Sequence, residues 1–346
     1  MKSRGYAALT AKSELASYEF ERRSLGEHDV ALDISYAGIC HSDIHQVAEE
    51  WGPAKFPMVP GHEIAGVVTA IGSKVSKFSV GDKIGVGVFV DSCRTCSSCR
   101  KGLQQYCVEG MTGTYNGLER DGVTVTMGGY SNNFVVNEDY AVHIPENLPM
   151  DAVAPLLCAG ITLYSPIKLW KVQPGMKVAV MGLGGLGHMG VKFAVAMGAE
   201  VTVLSHSPSK QADAIAMGAH HFVSTKDEKN LTTLAKTFDL ILNTVSAELV
   251  INDYLNLLKL DGTLVVIGLP GKHYEVHVGT LLNGRRSVAG SMIGGIPEMQ
   301  EMLDFCAKHS IVSDVEVIKA DYINEAYKRT IASDVKYRFV IDASTF

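Results

Sequence analysis

KVAVMGLGGLGHMGVKFAVAMGAEVTVLSHS, residues 177–207, decides the fold. An apolar run rich in valine (177–181) meets a glycine cluster. An apolar stretch of helical spacing follows, then a second valine-rich run (200–204). That is strand, turn, helix and strand within one βαβ unit. Gly182, Leu183, Gly184, Gly185, Leu186 and Gly187 satisfy G-x-G-x-x-G. The pattern alone is weak in a chain with 34 glycines, and its place between strand and helix makes it specific. Gly182 serves the tight turn, Gly184 lets backbone approach a pyrophosphate, and Gly187 lets helix pack on strand. The helix N-terminus then offers unpaired N–H groups to phosphate. Downstream, HHFVST, FDLILNTV, a helical stretch ending near Lys259, GTLVVIGLP and RRSVAGSMI continue the alternation. Strands alternating with helices predict a doubly wound parallel sheet of the α/β class.

The second strand of this unit also bears on the cofactor. An Asp or Glu about 20 residues past the glycine turn would grip the ribose 2′-hydroxyl of NAD. Here the strand runs into Ser205, His206, Ser207, Pro208, Ser209 and Lys210. Glu200 opens the strand and Asp213 lies beyond the turn, so no carboxylate stands at its end. Small hydroxyls and a lysine suit a 2′-phosphate, which predicts NADP(H). Ser207-Pro208 also reads as a helix start, with the serine as cap.

The N-terminal part has another rhythm. VALDISYAGICHSDI (30–44), VPGHEIAGVVTAIGSKV (59–75) and VGDKIGVGVFV (80–90) are short strand-like runs broken by glycine, so this part is mainly β. Next comes DSCRTCSSCRKGLQQYC, which places Cys93, Cys96, Cys99 and Cys107 in the spacing C-x2-C-x2-C-x7-C. Disulfides, a redox relay and free thiols compete with a metal here. With seven cysteines, an odd total, and no secretory signal or apolar run of about 18 residues, the chain is expected to be cytoplasmic, with reduced thiols. Four soft ligands in one short loop suit tetrahedral zinc at about 2.3 Å from each sulfur. With no histidine in the loop, the site reads as closed and structural. Cys306, on the apolar stripe of PEMQEMLDFCAKHS, reads as a small core residue. The formal net charge of −6 carries no block of one sign, which disfavours nucleic acid or a membrane surface as partner.

Two segments remain: Cys40, His41, Ser42, Asp43 and His45 just after a strand, and His62-Glu63 after Pro60-Gly61. Cys40 and His62-Glu63 read as lying on loops, where sites tend to be built. Sequence separation alone leaves open whether Cys40, His62 and Cys158 meet.

GICHSDIH, PGHEIAGVV, CRTCSSCRKGLQQYC, LLCAGITLYSP, GLGGLGHMGVKFA and AGSMIGG run in order from residue 38 to 295. On these motifs the chain resembles the zinc-dependent medium-chain alcohol dehydrogenases, most of all their cinnamyl-alcohol dehydrogenase branch. The resemblance implies a mainly β, GroES-like catalytic domain over 1–152 and 296–346, and a Rossmann cofactor domain over 153–295. It implies two zinc ions per chain, with Cys40, His62 and Cys158 as catalytic ligands. Glu63 would be a fourth ligand or stand behind the others, Asp43 would orient His62, and Ser42 and His45 would form a proton relay. The implied reaction is NADP(H)-dependent interconversion of primary alcohols and aldehydes, aromatic and medium-chain, in a homodimer. Trp51, Met58, Met111, Tyr115 and Leu269 would line the pocket. A zinc-less quinone reductase would lack the cysteine loop, and polyol enzymes of this family commonly replace the cysteine at 158 with an acid.

Overall fold

A computed structural model describes residues 1–346, the Glu228 side chain excepted. The chain divides into two compact units, one formed by 1–161 with 293–346 and the other by 162–292.

The first unit is built on β1 (Asp29–Gly38), the longest strand of its seven-stranded sheet. Valine, leucine, isoleucine and alanine on β1 are buried, with Val30, Leu32 and Ala37 fully so. Helix α1 (His41–Val47) follows directly, and β2 (Ile64–Ile71), β3 (Lys83–Val86), β4 (Asn133–Asn137) and β5 (Val142–His143) are the other N-terminal strands of this sheet. Both β2 and β4 pair antiparallel with β1. Helix α2 (Ala159–Leu169) begins just past Cys158.

The second unit holds the six strands of the glycine-turn region: β6 (Lys177–Met181), β7 (Glu200–Ser205), β8 (His221–Ser224), β9 (Phe238–Asn243), β10 (Leu258–Val266) and β11 (Ser287–Gly290). Their order is β8-β7-β6-β9-β10-β11 and every pairing is parallel. Strand order therefore reverses between β6 and β9, where ligands bind in open parallel sheets. Helix α3 (Gly187–Ala196) leaves the glycine turn and buries Met189, Val191 and Phe193. One expectation is corrected here. The helix before β10 ends at Leu255, and Lys259 lies inside the strand, because Leu258 already pairs with Phe238. The run LNLLKL fits both a helical and an extended period, which hides the boundary.

The tail returns to the first unit as helix α4 (Ile296–His309), β12 (Val315–Ile318) and β13 (Arg338–Asp342). Pro297 stands in the first turn of α4, and Cys306 is fully buried. Strand β13 pairs antiparallel with β1 and lies between it and β12, beside the end of β1 that leads into Cys40.

The glycine turn is sterically closed at one point and open at another. Gly182 has φ +84°, and a Cβ on Gly187 would stand 2.0 Å from the Gly182 carbonyl oxygen. An added Cβ on Gly184 meets nothing within 4 Å. Alanine normally stabilises a helix by about 1 kcal/mol over glycine. Gly187→Ala should do the reverse, lowering urea stability by about 1–3 kcal/mol through overpacking. A midpoint at or above the parent's would contradict this packing.

Candidate active site and cysteine lobe

Four side chains from three loops converge in the first unit. Cys40 caps α1, His62 and Glu63 precede β2, and Cys158 precedes α2. Their ligand atoms lie within 4.8 Å of one another, His62, Glu63 and Cys158 being buried. His62 Nε2 is 3.3 Å from Cys158 Sγ. A hydrogen bond from Cys158 holds the Cys40 thiol well below its ordinary value, and the same bond helps push Cys158 up. That shift favours the thiolate of Cys40, the form that ligates metal.

Asp43 binds these loops together. It is fully buried and accepts four hydrogen bonds. The Cys40 N–H donates at 3.0 Å, the Gly61 N–H at 3.2 Å, His62 Nδ1 at 2.9 Å and the Tyr130 hydroxyl at 2.9 Å. Fixing Nδ1 on a carboxylate turns Nε2 towards the other donors, the usual arrangement behind a metal-bound imidazole.

Glu63 is held differently. Its Oε1 accepts from Arg338 Nη2 at 2.5 Å, while Oε2 is buried with no partner. Burial pushes its carboxyl up to about 7, against the opposing pull of Arg338. Gly38 makes room for it, since a Cβ there would lie 2.0 Å from Oε2. Arg338 also donates to the Ile39 carbonyl at 2.7 Å. An orphaned carboxylate oxygen beside two cysteines and a histidine fits a divalent, thiophilic cation.

The relay candidates lie on α1. Ser42 Oγ is 3.5 Å from Cys40 Sγ. His45 is half-buried, pairs through Nδ1 with Glu50 at 2.5 Å and packs on Trp51, ring centroids 4.9 Å apart. Among the pocket candidates, Tyr115 stacks on His62 at 5.9 Å, and Met111 is half-buried. Met58 is fully buried, its backbone paired with Ala8, so it serves the core. Leu269 is exposed on the second unit.

The sulfurs of Cys93, Cys96, Cys99 and Cys107 also lie within 4.8 Å of one another. All seven cysteines are free. Backbone N–H groups point at these sulfurs: Cys93 to Cys107 at 3.3 Å, Cys96 to Cys93 at 3.4 Å and Cys99 to Cys96 at 3.5 Å. The N–H groups of Cys99 and Val108 pull the Cys96 thiol down to about 6. Gly102, at φ +73°, turns the chain back toward Cys107.

In the second unit Ser205 is buried at the end of β7, and its Oγ accepts the Ser207 N–H at 3.2 Å. Ser207 is half-buried and makes no side-chain cap, while His206 is exposed. Lys210 Nζ donates to the Leu183 carbonyl of the glycine turn at 2.8 Å, which ties that turn to the segment after β7.

Sequence reasoning missed Arg338 and Tyr130. An arginine inside the apolar run KYRFVID was the available signal for the first. Nothing in the sequence around Tyr130 marks it.

The description "Alcohol dehydrogenase GroES-like domain" matches residues 26–146, and "Zinc-binding dehydrogenase" matches 185–308. The NADP-dependent alcohol dehydrogenase C 1 of Mycolicibacterium smegmatis is 59% identical over 341 residues, 98% of this chain and 97% of that protein. A cinnamyl alcohol dehydrogenase structure from Sorghum bicolor superposes with a TM-score of 0.97 at 45% identity, covering 99% and 98% of the chains. The CAD of Helicobacter pylori, solved with NADP(H), gives 0.93 at 44% over the same shares. The chain belongs to the zinc-binding alcohol dehydrogenase family.

Removing one partner of a buried ion pair leaves an uncompensated charge, at a cost of about 3–5 kcal/mol. Arg338→Met should lose that much in denaturant unfolding, and adding Glu63→Gln should recover part of it. Parent-like stability of Arg338→Met would show that the pair holds nothing.

Proposed function

We propose that the protein is a zinc-dependent, NADP(H)-dependent alcohol dehydrogenase and aldehyde reductase. Its substrates are primary alcohols and aldehydes, of aromatic (cinnamyl-type) and medium chain length. The observation that carries this reading is the convergence of Cys40, His62, Cys158 and the orphaned Glu63 oxygen on one buried point.

Cys40, His62 and Cys158 hold the catalytic zinc, with Glu63 able to supply an oxygen, and Cys93, Cys96, Cys99 and Cys107 hold a second, structural ion. When bound, zinc supplies Lewis-acid polarisation of the substrate oxygen, and NADPH supplies the hydride. The chain's own residues place and move the proton. Ser42, two positions from a ligand cysteine, exchanges it with the substrate oxygen. His45, an imidazole able to take up and release a proton, passes it to water at the half-exposed end of α1. Asp43 keeps His62 in the tautomer that offers Nε2. Stacked on His62, Tyr115 gives the site an aromatic wall, in keeping with aromatic substrates.

For the cofactor, Gly182, Leu183, Gly184, Gly185, Leu186 and Gly187 take the pyrophosphate. The open space beside Gly184 leaves room for backbone to approach it. Ser205, His206, Ser207 and Lys210 take the 2′-phosphate. The names of the Mycolicibacterium and Helicobacter relatives point to the same cofactor.

Edge strand β11 and its neighbours expose Val278 (64%), Leu282 (76%) and Val288 (37%). An exposed apolar sheet edge supports a homodimer formed there; a monomer mass by light scattering would contradict it. Seven unpaired thiols suit a reducing cytoplasm.

With cinnamaldehyde as substrate, kcat/KM for NADPH should exceed that for NADH by more than about tenfold, or roughly 1.4 kcal/mol. Ser205→Asp should move the preference toward NADH, and Lys210→Ala should weaken NADPH more than NADH. Equal efficiency with both cofactors in the parent enzyme would overturn the assignment of this phosphate site.

A further inference from the structure

Asp43 has no exposure to solvent, so its carboxylate oxygens depend entirely on donors from the protein. Two of the four are backbone N–H groups of Cys40 and Gly61, fixed by the chain. The third is the His62 ring. The fourth, the Tyr130 hydroxyl, comes from 87 residues away and is the one donor neither on a zinc-ligand loop nor on a ligand itself. It shares Oδ2 with the Cys40 N–H, while Oδ1 serves Gly61 and His62.

Tyr130 is built into its place. It is fully buried, and its backbone carbonyl accepts the Tyr6 N–H while its N–H donates to Pro60. Its ring covers Gly61, where an added Cβ would stand 2.5 Å from the ring. Tyr327 packs edge-on against it at 6.4 Å. Burial first, then the Asp43 charge, pushes its phenol well above the ordinary value, so the hydroxyl keeps its proton. Carboxylate oxygens accept only, which fixes the direction of the bond from Tyr130 to Asp43.

We infer that Tyr130 is a positioning residue for the catalytic metal, acting through Asp43 on His62. Its hydroxyl occupies Oδ2, which holds Asp43 in the rotamer that presents Oδ1 to His62 Nδ1. A histidine donating to a full carboxylate charge is a more basic and better-oriented ligand. Without the hydroxyl, Oδ2 keeps only the Cys40 N–H, and the buried charge is under-solvated. Asp43 is then free to turn, and the His62 ring loses its anchor. The inference rests on the zinc reading of the Cys40, His62 and Cys158 site. The geometry of the hydrogen bonds does not.

The four-cysteine lobe provides an internal control, because Tyr130 makes no contact with it in the hydrogen-bond network described. Zinc-loaded parent and Tyr130→Phe proteins are titrated with a chelator, and the two ions are followed as they leave. The catalytic ion should be bound about tenfold more weakly in Tyr130→Phe, the lower end of the range for residues behind metal ligands. The ion of the four-cysteine lobe should be unchanged. In an Asp43→Asn background, Tyr130→Phe should cost nothing further, since both act through one hydrogen bond. Equal affinity of the catalytic ion in parent and Tyr130→Phe would overturn the inference, as would equal weakening of both ions, which signals general loosening. Additive losses in the double variant would also overturn it. A parent that never binds a second ion would instead remove the zinc reading on which the inference stands.

Discussion

The buried carboxylate of Asp43 is the constraint on which the first unit's site depends. It lies on α1, yet it is hydrogen-bonded to the loop that carries His62, to the residue that begins its own helix and to a tyrosine near β4. Burying a carboxylate is costly unless every lone pair is used. The segments that supply those donors are therefore held in one arrangement. That arrangement brings Cys40 and His62 to Cys158 and leaves one oxygen of Glu63 without a protein partner. A site so constrained spends the protein's stability on position, which is what a ligand set for a metal requires.

The two units solve different problems by similar means. In the second, backbone rather than side chains does the shaping. Gly187 lets the helix close on the Gly182 carbonyl, while Gly184 leaves space open beside the turn. Lys210 on the Leu183 carbonyl links that turn to the end of β7, so that residues 27 apart in the chain are held together. In the first unit the strand β1 plays the linking part. It pairs with β2, β4 and β13, and these three bring in Glu63, the Tyr130 region and Arg338.

What could be read from the sequence follows from how local the physics is. The glycine turn was legible because three steric demands act within six residues of one turn. The cysteine lobe was legible because a single short loop brings all four sulfurs together, so spacing and geometry coincide. Cys40, His62 and Cys158 are each recognisable types in suggestive places, but their meeting is a property of the sheet, and only the family resemblance joined them. Arg338 and Tyr130 lay beyond reach for the same reason. Glu63 and Arg338 are 275 residues apart, and Asp43 and Tyr130 are 87 apart. The antiparallel pairing of β13 with β1 brings the first of these pairs together, and no local pattern encodes it. The helix end before β10 was misplaced because leucines at 255, 257 and 258 satisfy two periodicities at once.

The central claim is that two metal centres with separate duties sit in one chain, and metal analysis of two variants tests it most directly. The parent should carry two zinc ions per chain. Cys40→Ser should carry one, keep its thermal unfolding midpoint and lose turnover. Cys96→Ser should lose an ion and unfold at a markedly lower temperature, because a structural metal contributes folding free energy directly. A parent with fewer than two ions, or a Cys96→Ser protein as heat-stable as the parent after losing its ion, would contradict the account.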